Sequence, residues 1–210
     1  GRLFDPRARV MRKAWVFVMV LAYSRHLFAR VVFEQTVETW LRLHIAAFRA
    51  FGGCVAVVVP DNLKAAVIRA AFGIDDAAAL NRSYRELARH YGFKVDPAPV
   101  RQPNKKGKVE SGVRYVKHNG LSGLDGRDVD VVRDHLARWT DEVANQRVHA
   151  TTQRRPAEVF ELELDRVDAE PVGDGRVDLQ RLARDRAALG RGDGAERAHV
   201  VRAVGELDHD

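Results

Sequence analysis

Ala14-Trp15-Val16-Phe17-Val18-Met19-Val20-Leu21 is an unbroken apolar run rich in β-branched and aromatic side chains. It is too short to cross a bilayer, which takes about 20 residues, and its lack of polar alternation predicts a strand buried on both faces. After Tyr23-Ser24-Arg25-His26 a second apolar stretch follows, Leu27 to Phe33, interrupted by Arg30. The pair predicts two strands joined by a short turn.

From Thr36 the period changes. Val37, Trp40, Leu41, Ile45, Phe48 and Phe51 recur at steps of three and four, and Gly52-Gly53 stops the run, which predicts an amphipathic helix with a glycine C-terminus. Val55 to Val59 reads as a short buried strand closed by Pro60. A helix is expected from about Asp76 to Tyr91, a strand over Phe93 to Val95, a helix start near Lys105 to Glu110, and a further helix from Asp128 through Val143. Strands and helices alternate, so the class is α/β.

The 210 residues and a hydrophobic share of 46% suffice for a real core. A single cysteine, Cys54, excludes an internal disulfide and any cysteine-rich metal site. No secretory signal or membrane span is expected, so the predicted setting is cytoplasmic. Gly1 in place of Met predicts that sequence precedes it. The net charge of +6 hides a division: residues 161–210 hold 13 acidic and 8 basic side chains, leaving residues 1–160 with 27 basic against 16 acidic. A body this basic suggests a polyanionic partner.

Residues 161–210 also contain no Lys, Ser, Thr, Asn, Ile, Met, Cys, Phe, Tyr or Trp. The ten types they do use are those whose codons can begin with C or G. Translation leaving its frame after Phe160 in a GC-rich gene would give this composition, and so would a disordered tail. Either way no function is expected of the segment.

Two carboxylates stand out. Asp61 follows a predicted strand, and Glu110 opens a predicted helix 49 positions later. Adjacent strands and their helices bring such positions together at one end of an α/β sheet. Two carboxylates there suit Mg²⁺ or Mn²⁺, and a pair of such ions about 4 Å apart can drive phosphodiester cleavage. Between Arg101 and His118, Arg101, Lys105, Lys106, Lys108, Arg114 and Lys117 surround Glu110 as the only acid, a setting where phosphates can approach a metal. Lys64, Lys105, Lys106, Lys108 and Arg114 are the candidate DNA contacts. The competing reading makes Asp61 a turn residue, Glu110 a helix-dipole partner and the cations a solvated face.

Val59-Pro60-Asp61-Asn62-Leu63-Lys64, Gly107-Lys108-Val109-Glu110, Tyr23-Ser24-Arg25-His26 and Phe48-Arg49-Ala50-Phe51-Gly52-Gly53 together resemble the integrase catalytic core of insertion-sequence transposases of the IstA type. Asn145, Arg147, His149, Thr151-Thr152 and Pro156 are similar to the stretch after that core. The resemblance covers about residues 9–162. It implies a ribonuclease H-like mixed sheet flanked by helices, and an Asp-Asp-Glu site that nicks DNA and transfers the 3′ end to a target. It further implies DNA (element ends and target) as partner, an ATPase helper of the IstB type, and a homo-oligomer. By position Asp61 corresponds to the second catalytic carboxylate and Glu110 to the third.

The family's first carboxylate lies in a strand just upstream of the Trp15 strand, in a Val-Asp-aromatic-Gly setting that this sequence lacks. Asp5, in Phe4-Asp5-Pro6, reads as a turn residue instead. The expected organisation is therefore a core over 9–125 without its first strand, a helical extension over 126–160 and the tail over 161–210, truncated at both ends. A missing first strand predicts an exposed apolar edge on its neighbour and an inactive copy of the enzyme. A non-catalytic DNA-binding or assembly module that keeps the fold is the alternative. His44 and His90 read as helix-surface or packed histidines, His149 as a loop residue, and Trp15, Trp40 and Trp139 as packing. Gly107-Lys108 lacks the spacing of a phosphate-binding loop, so an ATPase is excluded.

Overall fold

In a computed structural model the structure describes residues 1–60, 82–95, 111–163 and 199–206. The two apolar runs form β3 (Trp15–Leu21) and β4 (Leu27–Val32), antiparallel with Trp15 opposite Val32 and Val20 opposite Leu27. Six of the seven β3 residues are buried. The alternation of its side chains explains why. Phe17, Met19 and Leu21 enter one core with Phe28, Ile45, Phe48, Tyr84 and Phe93. Val16, Val18 and Val20 enter another with Ala29, Val31, Val116, Val132 and Leu136. Full burial of each such side chain contributes about 1.5–3 kcal/mol.

Helix α1 (Val37–Ala50) begins where Thr36 Oγ1 accepts the Thr39 amide at 3.1 Å and ends at Gly52, whose φ of 71° lets the amides of Gly52 and Gly53 return to Arg49 and Phe48. Strand β5 (Val57–Pro60) follows. Helix α2 (Arg82–Tyr91) packs on α1 and leads to β6 (Lys94–Val95), parallel to β5. Between these helices His44 is fully buried. Its Nδ1–H donates to the Trp40 carbonyl at 2.8 Å, and Nε2 shares a hydrogen bond with the Tyr84 hydroxyl at 3.2 Å, which makes it a packed histidine. His90 is exposed at the end of α2.

The other face of the sheet is covered by α3 (111–115), which runs into a π-helical turn at Val116–Gly120, and by α4 (Val129–Trp139), continued by a second π-helical turn at Thr140–Ala144. Asp128 caps α4 through the Asp130 amide at 2.8 Å. Short α5 (Pro156–Glu161) starts on its proline. The described part of the predicted extension over 126–160 thus shares a core with the sheet, through Val129, Val132 and Leu136.

Two features were not expected from sequence. Residues 2–13 form a hairpin, β1 (Arg2–Asp5) with β2 (Val10–Lys13), rather than an isolated turn at Asp5. The expected exposed edge on β3 is also absent. Strand β7 (His199–Glu206) lies between β3 and β5, antiparallel to the first and parallel to the second, so the five-stranded order is β4-β3-β7-β5-β6. The correction has a plain cause: an apolar strand with a free row of peptide groups is satisfied best by another strand. His199-Val-Val-Arg-Ala-Val-Gly-Glu206 is rich in the β-branched valines that strands favour. The observed class is mixed α/β, as the alternating pattern predicts.

Candidate functional site

Asp61, Lys64, Lys105, Lys106, Lys108 and Glu110 lie outside the described residues. Their chain neighbours do not. Pro60, next to Asp61, ends β5 in register with Arg202 of β7, which is itself opposite Met19 of β3. At about 4.8 Å per strand, Pro60 stands roughly 10 Å from the Met19 backbone. Gly112, two residues after Glu110, lies over the neighbouring Val20. A Cβ on Gly112 would meet Val20 Cγ2 at 3.0 Å and Val18 Cγ1 at 3.9 Å, so the glycine allows α3 to approach the sheet closely. Sequence reasoning passed over Gly112, because a lone glycine in a basic segment carries no signal of what it packs against.

Arg114 is described and exposed on α3. The helix is held from below and behind. Tyr115 packs against Trp139 at 5.2 Å between centroids and carries the Arg147 guanidinium 3.6 Å from its ring centre. Burial raises the Tyr115 pKa, and Arg147 opposes the shift. Gly120 sits against the Trp139 indole, where a Cβ would come within 2.7 Å. Trp139 and Trp40 are packing residues, each set against a hydrophobic core.

The Tyr23 to His26 turn and Asn145 form a structural latch. Arg25 adopts φ 64°, the Ser24 amide donates to the buried Glu163 carboxylate at 3.2 Å, and His26 stacks on Phe160 at 4.3 Å. The Asn145 amide grips the Leu27 peptide on both sides, Oδ1 accepting from Leu27 N at 2.9 Å and Nδ2 donating to Leu27 O at 3.0 Å. Asn145 Nδ2 also lies 3.3 Å from His26 Nε2. These residues clamp α5 and the second π-turn to the free edge of β4.

Burial lowers the His26 pKa from 6.5 to about 4. Between those values the unfolded chain binds a proton that the folded chain refuses. Stability is therefore complete above pH 6.5 and falls as the pH drops through the window, by about 3 kcal/mol in all. Urea titrations at pH 7, 5.5 and 4 should show this slope, and His26→Phe should flatten it. Equal slopes in both proteins would exclude His26 as the source.

His149 is a loop residue. Its Nδ1 accepts the Thr151 amide at 3.2 Å, and burial, Arg147 and Arg25 together lower its pKa. Asp5 is a hairpin residue. Its carboxylate accepts from Arg12 at 2.7 Å and from the Arg7 and Ala8 amides, and the Arg12 hydrogen bond is the main cause of its lowered pKa. These donors tie the Asp5 carboxylate to the hairpin turn. Among the described residues no three His, Cys, Asp or Glu side chains gather to hold a metal ion, and no helix is long and apolar enough to cross a membrane.

Residues 4–103 match the family described as Integrase core domain. The chain is 38% identical over 166 residues to a putative transposase of Mycobacterium tuberculosis, an alignment covering 77% of this chain and 39% of that protein. It is 32% identical over 158 residues to the transposase of insertion sequence element IS21 from Pseudomonas aeruginosa (75% and 40%), and 37% identical over 135 residues to that of element IS640 from Shigella sonnei (62% and 41%). The chain therefore spans less than half the length of each of these relatives.

Proposed function

The chain carries an integrase-type core of insertion-sequence transposases, and from that premise we propose that it is built for metal-dependent nicking and strand transfer of DNA on a ribonuclease H-like sheet. Asp61 and Glu110 are the carboxylates of this reading. Its main support is the kinship with transposases, together with where their described neighbours stand: Pro60 at the end of β5, two strands from β3, and Gly112 against Val20 of β3.

The donor chemistry fits a hard divalent ion, Mg²⁺ or Mn²⁺, since both groups offer carboxylate oxygens. When bound, such an ion supplies charge stabilisation at the phosphate and an activated oxygen nucleophile. The residues' own part is to fix the ion's place at the sheet end, while Arg114 and the lysines at 64, 105, 106 and 108 hold the DNA backbone. DNA is the partner, as element ends and as target. A homo-oligomer and an IstB-type ATPase helper belong to the same reading.

One observation favours a non-cleaving version of the function. The strand beside β3 is β7, and its one carboxylate, Glu206, stands opposite Trp15 at the strand's last residue, four positions beyond the residue in register with Pro60. Two carboxylates would then face the metal charge, and divalent ions would be held poorly. Expected behaviour is weak Mn²⁺ binding, weakened roughly tenfold further by Asp61→Asn or Glu110→Gln, with negligible transfer of end-labelled DNA. Mn²⁺ affinity that neither substitution changes would remove the carboxylate pair from the mechanism. Robust cleavage abolished by Glu110→Gln would instead show an active enzyme.

A further inference from the structure

A cleft of about 540 Å³ opens between the end of β4, the start of α1 and the β1–β2 turn, lined by Arg7, Arg12, Arg30, Arg42 and Arg133 with Glu34 as its one acid. Two of the arginines build its frame. Arg12 bonds Asp5 at 2.7 Å and reaches Glu34 at 3.5 Å, and Arg133 bonds Asp130 at 2.9 Å and the Val31 carbonyl at 3.2 Å. Both guanidinium groups lie against the Phe33 ring, 4.6 and 6.0 Å from its centre.

The other three are weakly neutralised. Arg42 meets Glu38 at 3.6 Å with both side chains largely exposed, a pairing of little strength. Arg7 is exposed in the hairpin turn. Arg30 is half-buried over Phe28, its Nη1 donates to the Ala29 carbonyl, and burial lowers its pKa against the pull of Asp141. Three converging cations around one open space, on a frame of braced arginines, are matched by an anion presenting several oxygens at fixed spacing.

We propose that this arginine cleft docks the phosphodiester backbone of DNA, on a surface separate from the carboxylate site. The inference rests on the DNA-processing reading above and adds a place on the molecule. Strand β4 runs in the same direction as β5, because β3 is antiparallel to β4 and to β7, and β7 is parallel to β5. The cleft therefore opens at the sheet end where β5 delivers Pro60. Three strand spacings and four residues of rise separate Val32 from Pro60, about 20 Å in all. A duplex covers that distance in about six base pairs, so one DNA segment can reach both places.

The test is fluorescence anisotropy of a labelled 25-base-pair duplex with the full chain in EDTA, across a salt series. Arg7→Ala/Arg42→Ala should weaken binding roughly tenfold at low salt and reduce the salt slope by about 2, near 0.9 per lost phosphate contact. The charge-matched pair Arg85→Ala/Arg89→Ala on α2 should do neither, and Arg7→Lys/Arg42→Lys should restore most of the binding, which excludes misfolding as the cause. Equal losses in the two alanine pairs, or no loss in the first, would overturn the proposal. Because metal is absent from this assay, an unchanged Mn²⁺ affinity in Glu110→Gln would count against the carboxylate site and leave the cleft standing.

Discussion

A chain ending at residue 198 is expected to lose its cooperative fold. Strand β7 is central, pairing with β3 over seven residues and with β5 over four. Removing it strips the inner edges of both strands at once. Val16 to Leu21 are no more than 6% exposed with β7 in place; without it their apolar edge is bared, and each peptide group left buried without a partner costs about 1–3 kcal/mol. Several such groups together are comparable with the 5–15 kcal/mol that holds a typical domain together. The truncated chain should self-associate on size-exclusion chromatography and show no sharp thermal transition by circular dichroism. A monomer melting at the temperature of the full chain would mean that β7 plays no part in the fold.

Asn145→Ala is expected to cost roughly 3–5 kcal/mol, because three polar groups lose their partner together. Asn145 is 1% exposed, and its amide takes the place of a neighbouring strand against both sides of the Leu27 peptide while also approaching His26 Nε2. Alanine leaves the Leu27 N–H and C=O buried without partners. Urea unfolding should show a lower midpoint at unchanged slope. Asn145→Asp should recover little, since a carboxylate cannot donate to the Leu27 carbonyl. A loss below about 1 kcal/mol for alanine would mean that water replaces the amide.

Where a segment's own periodicity decides its structure, the sequence was readable. The 14–33 strand pair, α1 with its Gly52 ending and α4 from Asp128 all stand where hydrophobic spacing puts them. The β1–β2 hairpin was not readable, because Val10 and Met11 are exposed and the segment shows no alternation. Nor was β7, whose role depends on pairing with residues some 180 positions away. The candidate site divides along the same line. Asp61 and Glu110 could be named from their positions relative to predicted elements, but they lie outside the described residues. The Tyr23 to His26 turn and Asn145 could be quoted as a resemblance, while their work as a latch needed coordinates. The arginine cleft escaped entirely, since positions 7, 12, 30, 42 and 133 become neighbours only after folding, and net charge records a total without a location.

The hairpin ladder and the central ladder share one line. The Ala14 amide donates to the Gly1 carbonyl, and one residue on, Trp15 stands opposite Glu206. Head and tail of the described chain thus meet on the same side of β3. A circular permutant that joins them through a short linker and opens the backbone at a surface loop would visit β7, β1, β2, β3 and β4 in succession. Contacts that now close a loop of nearly the whole polypeptide would become local, the kind of rewiring that speeds folding while leaving the final architecture alone.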